Sequence, residues 1–234
     1  MYTHPLFTLE GDYSSEVKRT VAIKSRDQGF FRSRLPEFTG EEIKLIRGSS
    51  DFLGVEHFTT TLVYRDASVY GMYPVPSFMN DLNVVLQKDP TWTQATSKWL
   101  HEVPWGLYKL LIEIKNEYGN PPVYITANGW STEGGILDDD RIRYMRGYLS
   151  AVLDALTAGC NVLGYTVWSL IDGFEWSDGF HAKFGLYEVD FDSDDKTRTS
   201  RKSALVYKEI IRTKSLNVNY EPETTIEVVP DPYT

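Results

Sequence analysis

Three short runs rich in apolar, β-branched and aromatic residues alternate with stretches of helical period, and this alternation constrains the fold more than any other feature of the chain. The runs are Phe52 to Phe58, Val123 to Thr126 and Val162 to Leu170; each reads as a buried strand. Between the first two, Trp105 to Tyr118 sets Leu107, Leu110, Leu111, Ile114 and Tyr118 on one helical face, with Ile112 outside the stripe. Between the second and third, Ile142, Met145, Leu149, Val152, Leu153 and Leu156 repeat with helical period. The acidic cluster Asp138, Asp139 and Asp140 precedes them, as suits a helix N-terminus, and Gly159 follows as a stop signal. Ser203 to Ile211 predicts one more short helix.

Strands alternating with helices mean parallel βαβ units, an α/β chain whose ligand sites lie at the C-terminal ends of its strands. The residues past each run therefore matter: Glu56-His57-Phe58-Thr59, Thr126-Ala127-Asn128-Gly129-Trp130, and Trp168-Ser169-Leu170 leading to Phe174-Glu175-Trp176. Core packing or rim filling by these aromatics is the plainer alternative, and it weakens when three such clusters stand at three consecutive strand ends. Residues 217–234 are polar, acidic and proline-containing, with Ile226, Val228 and Val229 as the main apolar feature, and read as an extended tail.

A net charge of −9 opposes binding to phosphate backbones and anionic lipid, so neither nucleic acid nor a membrane is expected as a partner. The single cysteine, Cys160, excludes an internal disulfide framework and reads as a buried small apolar residue. His4, His57, His101 and His181 form no ligand-spaced pair and no glycine-rich phosphate loop occurs, so no metal and no cofactor are expected. Met1 to Pro5 lacks the basic and apolar segments of a signal peptide and no glycosylation sequon occurs, so the compartment stays open between an intracellular protein and a chain beginning downstream of its leader.

The motifs in their order resemble glycoside hydrolase family 1, the β-glucosidases and myrosinases, and its insect members most. The match runs from His4-Pro5 and Gly11-Asp12-Tyr13 through Ser33 to Phe38, Pro104 to Leu107, and Val123-Tyr124-Ile125-Thr126-Ala127-Asn128-Gly129. It continues through Asp139 to Tyr144, Gly164 to Leu170, Phe174-Glu175-Trp176, Phe184-Gly185-Leu186 and Val189-Asp190-Phe191 to the helix from Ser203. The resemblance implies an incomplete TIM (β/α)8 barrel, roughly its last three β/α units. Residues 1–216 would be the C-terminal part of the barrel and 217–234 the tail.

The resemblance also implies a retaining glycosidase, which needs two carboxyl groups roughly 5 to 5.5 Å apart. The family's nucleophile is the glutamate of Thr-Glu-Asn-Gly, and here Ala127 fills that position. A methyl group cannot form the glycosyl-enzyme bond. The family's acid/base motif, Asn-Glu-Pro, does not occur in these residues. Where the family usually has Asn-x-Tyr, the chain has Glu56, His57 and Phe58; Phe58 lacks the hydroxyl that would contact a nucleophile, and Glu56 is read as a partner of a nearby donor rather than a displaced nucleophile. The resemblance leaves the sugar-holding side better represented. Glu175 would accept from the O4 and O6 hydroxyls of glucose, Trp176 would donate its indole N–H, Trp168 would form a stacking floor, Phe184 would line the pocket, and Trp99 would stand on the aglycone side. An ion pair with Lys183 is the structural alternative for Glu175. The expected function is that of a β-glucosidase-like hydrolase without catalysis in this chain, the alternative being a non-catalytic sugar- or protein-binding pseudoenzyme. Its ligand would be a β-glucoside or related small glycoside, and open barrel edges would promote self-association.

Overall fold

The computed structural model describes residues 3–65, 81, 84–223 and 228–229. It comprises two compact units: Met1–Leu53 with Thr61–Pro90 and Glu113–Pro122, and Gly54–Thr60 with Thr91–Ile112 and Val123–Thr234.

The first unit carries α1 (Thr3–Phe7), α2 (Ser15–Asp27) and α3 (Gly40–Ile46). Ser14 caps α2 by accepting from Val17 N, and Glu16 in the first turn with Lys24 and Arg26 in the last suits the helix dipole. Thr39 and Glu42 close a reciprocal capping box on α3. The strands β2 (Leu62–Arg65) and β3 (Val84–Gln87) pair antiparallel, Leu62 opposite Gln87.

The second unit holds the parallel sheet, ordered β1-β4-β5, with β1 at Leu53–Glu56, β4 at Val123–Asn128 and β5 at Val162–Val167. β4 and β5 run parallel, Val123 opposite Val162 and Asn128 opposite Val167. The bonds Leu53 N to Pro122 O and His57 N to Ala127 O advance together along both chains, so β1 is parallel to β4 as well. The helices are α4 (Pro104–Glu117), whose residues to Ile112 belong to this unit, α5 (Asp139–Thr157) and α6 (Lys202–Thr213). β6 (Tyr187–Val189), β7 (Arg198–Ser200) and β8 (Val228–Val229) form a second, antiparallel sheet. Within the region read as a tail, Val228 and Val229 thus pair with β7, Pro222 is buried, and Tyr220 packs on the cluster of Ile142, Met145 and Val206; Ile226 lies outside the described residues.

Several expectations shift. The strands are not buried on both faces: along β4, Val123, Ile125 and Ala127 are buried while Tyr124 and Thr126 are exposed, because no element among the described residues covers that face of the sheet. The third apolar run leaves the sheet at Val167, since the backbone of Ser169 and Leu170 pairs instead with Phe184, Leu186 and Tyr187. The first ends at Glu56 as strand, although His57 N still bonds β4. On α5 the buried side is wider than the aliphatic stripe. Arg141, Tyr144, Tyr148, Ala151 and Ala155 are buried with Ile142, Met145 and Val152, while Leu153 and Leu156 are exposed. Gly159 ends α5 as expected, in the left-handed region at φ 83°, with Cys160 N reaching back to Ala155 O; Cys160 is buried.

Candidate functional site

Ala127 sits at the C-terminal end of β4 and is buried at 4% exposure, its carbonyl accepting from His57 N at 3.0 Å. Its neighbour Asn128 is the hub of a buried hydroxyl network. The amide Nδ2 donates to His57 O at 2.6 Å and Tyr144 Oη at 2.9 Å, and Oδ1 accepts from Tyr165 Oη at 2.5 Å. Because a carbonyl can only accept, the His57 contact settles which end of the amide faces it. Tyr144 Oη in turn donates to Phe58 O at 2.6 Å; Tyr148 Oη donates to the same oxygen at 3.1 Å and accepts from Val103 N at 3.2 Å. Burial holds all three hydroxyls protonated, raising Tyr144 and Tyr165 well above the ordinary tyrosine range and Tyr148 to about 12. The end of β1 is thereby tied to the residue next to position 127.

The sugar-facing residues predicted from the sequence fall into two groups. Trp168 follows β5, with its backbone N bonded to Asn128 O at 2.8 Å, and its indole N–H donates to Glu175 Oε1 at 3.3 Å. The Trp168 backbone also packs directly on Gly129: a Cβ there would lie 1.9 Å from Trp168 O. Burial raises the Glu175 carboxyl above the ordinary range, the Trp168 bond opposing and the charges of Asp178 and Asp172 adding to the rise. Lys183 Nζ lies over the Phe191 ring at 5.4 Å, and among the described residues it forms no ion pair with Glu175, so that structural alternative is not realised. Trp176 opens a short 3-10 turn at φ 47° and is 83% exposed, its indole N–H unbonded among the described residues.

The second group is aromatic. The Phe58 ring packs edge-on against Trp99 at 5.8 Å and against Phe184 at 6.3 Å. Phe184 is buried and Trp99 is 48% exposed. Glu56 is exposed and, among the described residues, has no hydrogen-bonding or ionic partner; the expected neighbouring donor is missing.

Sequence reasoning missed the frame beneath both groups. Arg201 forks onto Asp172, Nη1 to Oδ1 and Nη2 to Oδ2 at 2.8 Å each, with both side chains fully buried. Asp172 also accepts from Gly185 N at 2.9 Å, and Arg201 and Arg141 both donate to Gly185 O at 2.7 Å. Arg141 reaches Asp138 at 2.5 Å and Lys183 O at 2.6 Å. Asp138 was expected to serve the helix dipole; it makes no capping bond and instead takes Arg141 together with Ser203 N and Oγ. Only Asp139 and Asp140 stand in the first turn, bonded to Lys202 and to the Trp130 indole. The signal available was Arg141, inside the Asp139 to Tyr144 stretch that carries part of the resemblance. A cavity of about 510 Å³ lies beside β6 and β7, lined by Lys183, Glu188, Asp190, Phe191 and Thr199 among others, without any of the predicted sugar residues. Among the described residues no cluster of histidine, cysteine and carboxylate side chains could hold a metal, and no helix is long and apolar enough to cross a membrane.

Comparisons with known proteins place the chain in a family. The profile of Glycosyl hydrolase family 1 matches residues 1–216. Myrosinase 1 of Brevicoryne brassicae is 41% identical over 214 residues, 91% of this chain and 45% of the relative. The lactase-like protein of Homo sapiens is 40% identical across 90% of this chain and 37% of its own length. Among solved structures, an aphid myrosinase superposes with a TM-score of 0.79 at 40% identity, covering 90% of this chain and 45% of that one. A β-glucosidase from the fungus Humicola insolens, solved in complex with glucose, gives 0.74 at 31% identity over 91% and 44%. The chain spans less than half the length of each of these proteins. Its parallel β1-β4-β5 sheet is accordingly part of a (β/α) barrel that does not close, and the chain belongs to glycosyl hydrolase family 1.

Proposed function

We propose that this chain is a β-glucosidase-like protein that has lost the covalent step of hydrolysis and keeps a glycoside-binding surface. The carrying observation is Ala127, a buried methyl group at the strand end where the family places its nucleophile. Without a carboxylate there, no glycosyl-enzyme bond can form. Three features support the retained surface: a glutamate with a raised pKa held beside an indole, the open Trp176 ring, and the glucose complex of the Humicola insolens relative. Sugars offer C–H faces to aromatic planes and hydroxyls to charged acceptors, and Trp168, Trp176 and Glu175 supply both.

The expected result with p-nitrophenyl β-glucoside is no release of nitrophenol, with or without azide or formate as a substitute nucleophile. Ala127→Glu should also stay silent, because the chain contains no Asn-Glu-Pro acid/base motif. Unaided turnover by the natural sequence would overturn the proposal. Calorimetric titration with methyl β-glucoside should saturate, and Trp176→Ala should abolish the heat.

A further inference from the structure

The first unit holds a cavity lined by none of the residues proposed to face a sugar. Its volume of about 720 Å³ lies in the range that accepts a small organic ligand, and its walls come from α1, the chain leading into α2, and the C-terminal end of α4 with Gly119. Three aromatic rings line it. Tyr118 meets Phe7 at 6.3 Å and the His4 imidazole edge-on at 6.0 Å, while Tyr13 stacks on Phe38 at 4.7 Å. The chain entering Asp12 and Tyr13 passes against the end of α3 at Gly11, at φ 65°, where a Cβ would lie 2.9 Å from Arg47 Cβ.

The charges on the wall do not balance. Three carboxylates, of Glu10, Asp12 and Glu117, stand against one ammonium, of Lys18. Lys18 Nζ neutralises Asp12 at 2.5 Å. Among the described residues Glu117 has the His4 Nδ1 alone, at 3.6 Å, and Glu10 is exposed with no hydrogen-bonding or ionic partner. The end of α4 adds the negative pole of its helix dipole. Partial burial, with the charges of Glu117 and Glu113 adding, raises the Tyr118 hydroxyl above its ordinary range and keeps that ring neutral. Aromatic faces attract a cation through their quadrupole, and the unbalanced carboxylates attract it by charge.

We infer that this cavity is a binding site for an organic ammonium ion with an apolar body, the rings of Phe7, Tyr13 and Tyr118 taking the body and Glu10 and Glu117 the charge. A neutral ligand of the same shape keeps the apolar contacts and loses the charge. An anion meets two carboxylates and is excluded.

Calorimetric titration of the full chain with benzyltrimethylammonium, benzyl alcohol and phenylacetate tests this, in about 0.15 M sodium chloride to screen the general pull of a net charge of −9 on any cation. Benzyltrimethylammonium should saturate one site and bind about tenfold more tightly than benzyl alcohol, and phenylacetate should give no heat. Glu10→Gln and Glu117→Gln should each weaken the cation about three- to tenfold. Tyr118→Leu, verified as folded by circular dichroism, should weaken it as well. Equal affinities for cation and alcohol, saturable binding of phenylacetate, silence from all three ligands, or a cation affinity that both glutamine variants leave intact overturns the inference. Displacement of the cation by methyl β-glucoside would put it on the glycoside surface instead and overturn it too.

Discussion

At the scale of single residues, the charges buried beneath the site matter most for stability. Asp172 and Arg201 are fully buried, and their bidentate bond comes with further bonds to Gly185 N, Gly185 O and Gly135 O, so few polar atoms of the pair are left without a partner. Such a pair contributes little net stability against an apolar replacement, but removing one member strands a charge in a dry interior. Arg201→Met should therefore lower the unfolding free energy by about 3–5 kcal/mol, read from urea melts followed by circular dichroism. The double change Asp172→Leu with Arg201→Met should recover much of that loss, and additive losses in the two single variants would show that the pair is not coupled as described. Ala127 and Phe58 were legible in the sequence through the resemblance, which implies a glutamate and a tyrosine at those positions. The sequence did not disclose Asp172 and Arg201, whose role arises from desolvation alone.

Among the elements, the junction of β4 and β5 decides how Trp168 and Glu175, the residues proposed to face a sugar, are presented. Gly129 allows the Trp168 carbonyl to approach within 1.9 Å of where a Cβ would be, far inside van der Waals contact. Gly129→Ala should push Trp168 aside, lowering stability by about 1–3 kcal/mol as an overpacked site does. It should also weaken methyl β-glucoside binding beyond what the stability loss explains; an unaltered melt would mean that Trp168 does not pack on this glycine. The helix α5 shows how local pattern misleads. Its aliphatic period suggested a face including Leu153 and Leu156, both exposed, whereas the buried side carries Arg141, Tyr144 and Tyr148. Polar residues can enter a core when hydroxyls and guanidinium groups find partners there, which an apolar periodicity cannot register.

For the whole molecule, the open sheet sets the behaviour in solution. Among the described residues β1 and β5 each have one strand neighbour, and Tyr124 and Thr126 on β4 face outward. Unpaired edges beside an uncovered face favour pairing with another chain. The 234-residue chain should thus sediment at micromolar concentration as species larger than a monomer, with a broad thermal transition. A monodisperse monomer with a sharp, cooperative melt would contradict this.

The sequence by itself determined the alternation of strands and helices, the placement of the motif residues at the ends of parallel strands, and the alanine at position 127, where the resemblance implies a glutamate. These follow from local periodicity and from the covalent identity of single side chains. Tertiary structure alone decided that Phe58 meets Trp99 and Phe184, that Asn128 gathers Tyr144 and Tyr165, and that Asp138 serves Arg141 and Ser203 rather than a helix end. Those contacts join residues far apart along the chain, and their strength comes from excluding water, which only the assembled unit achieves.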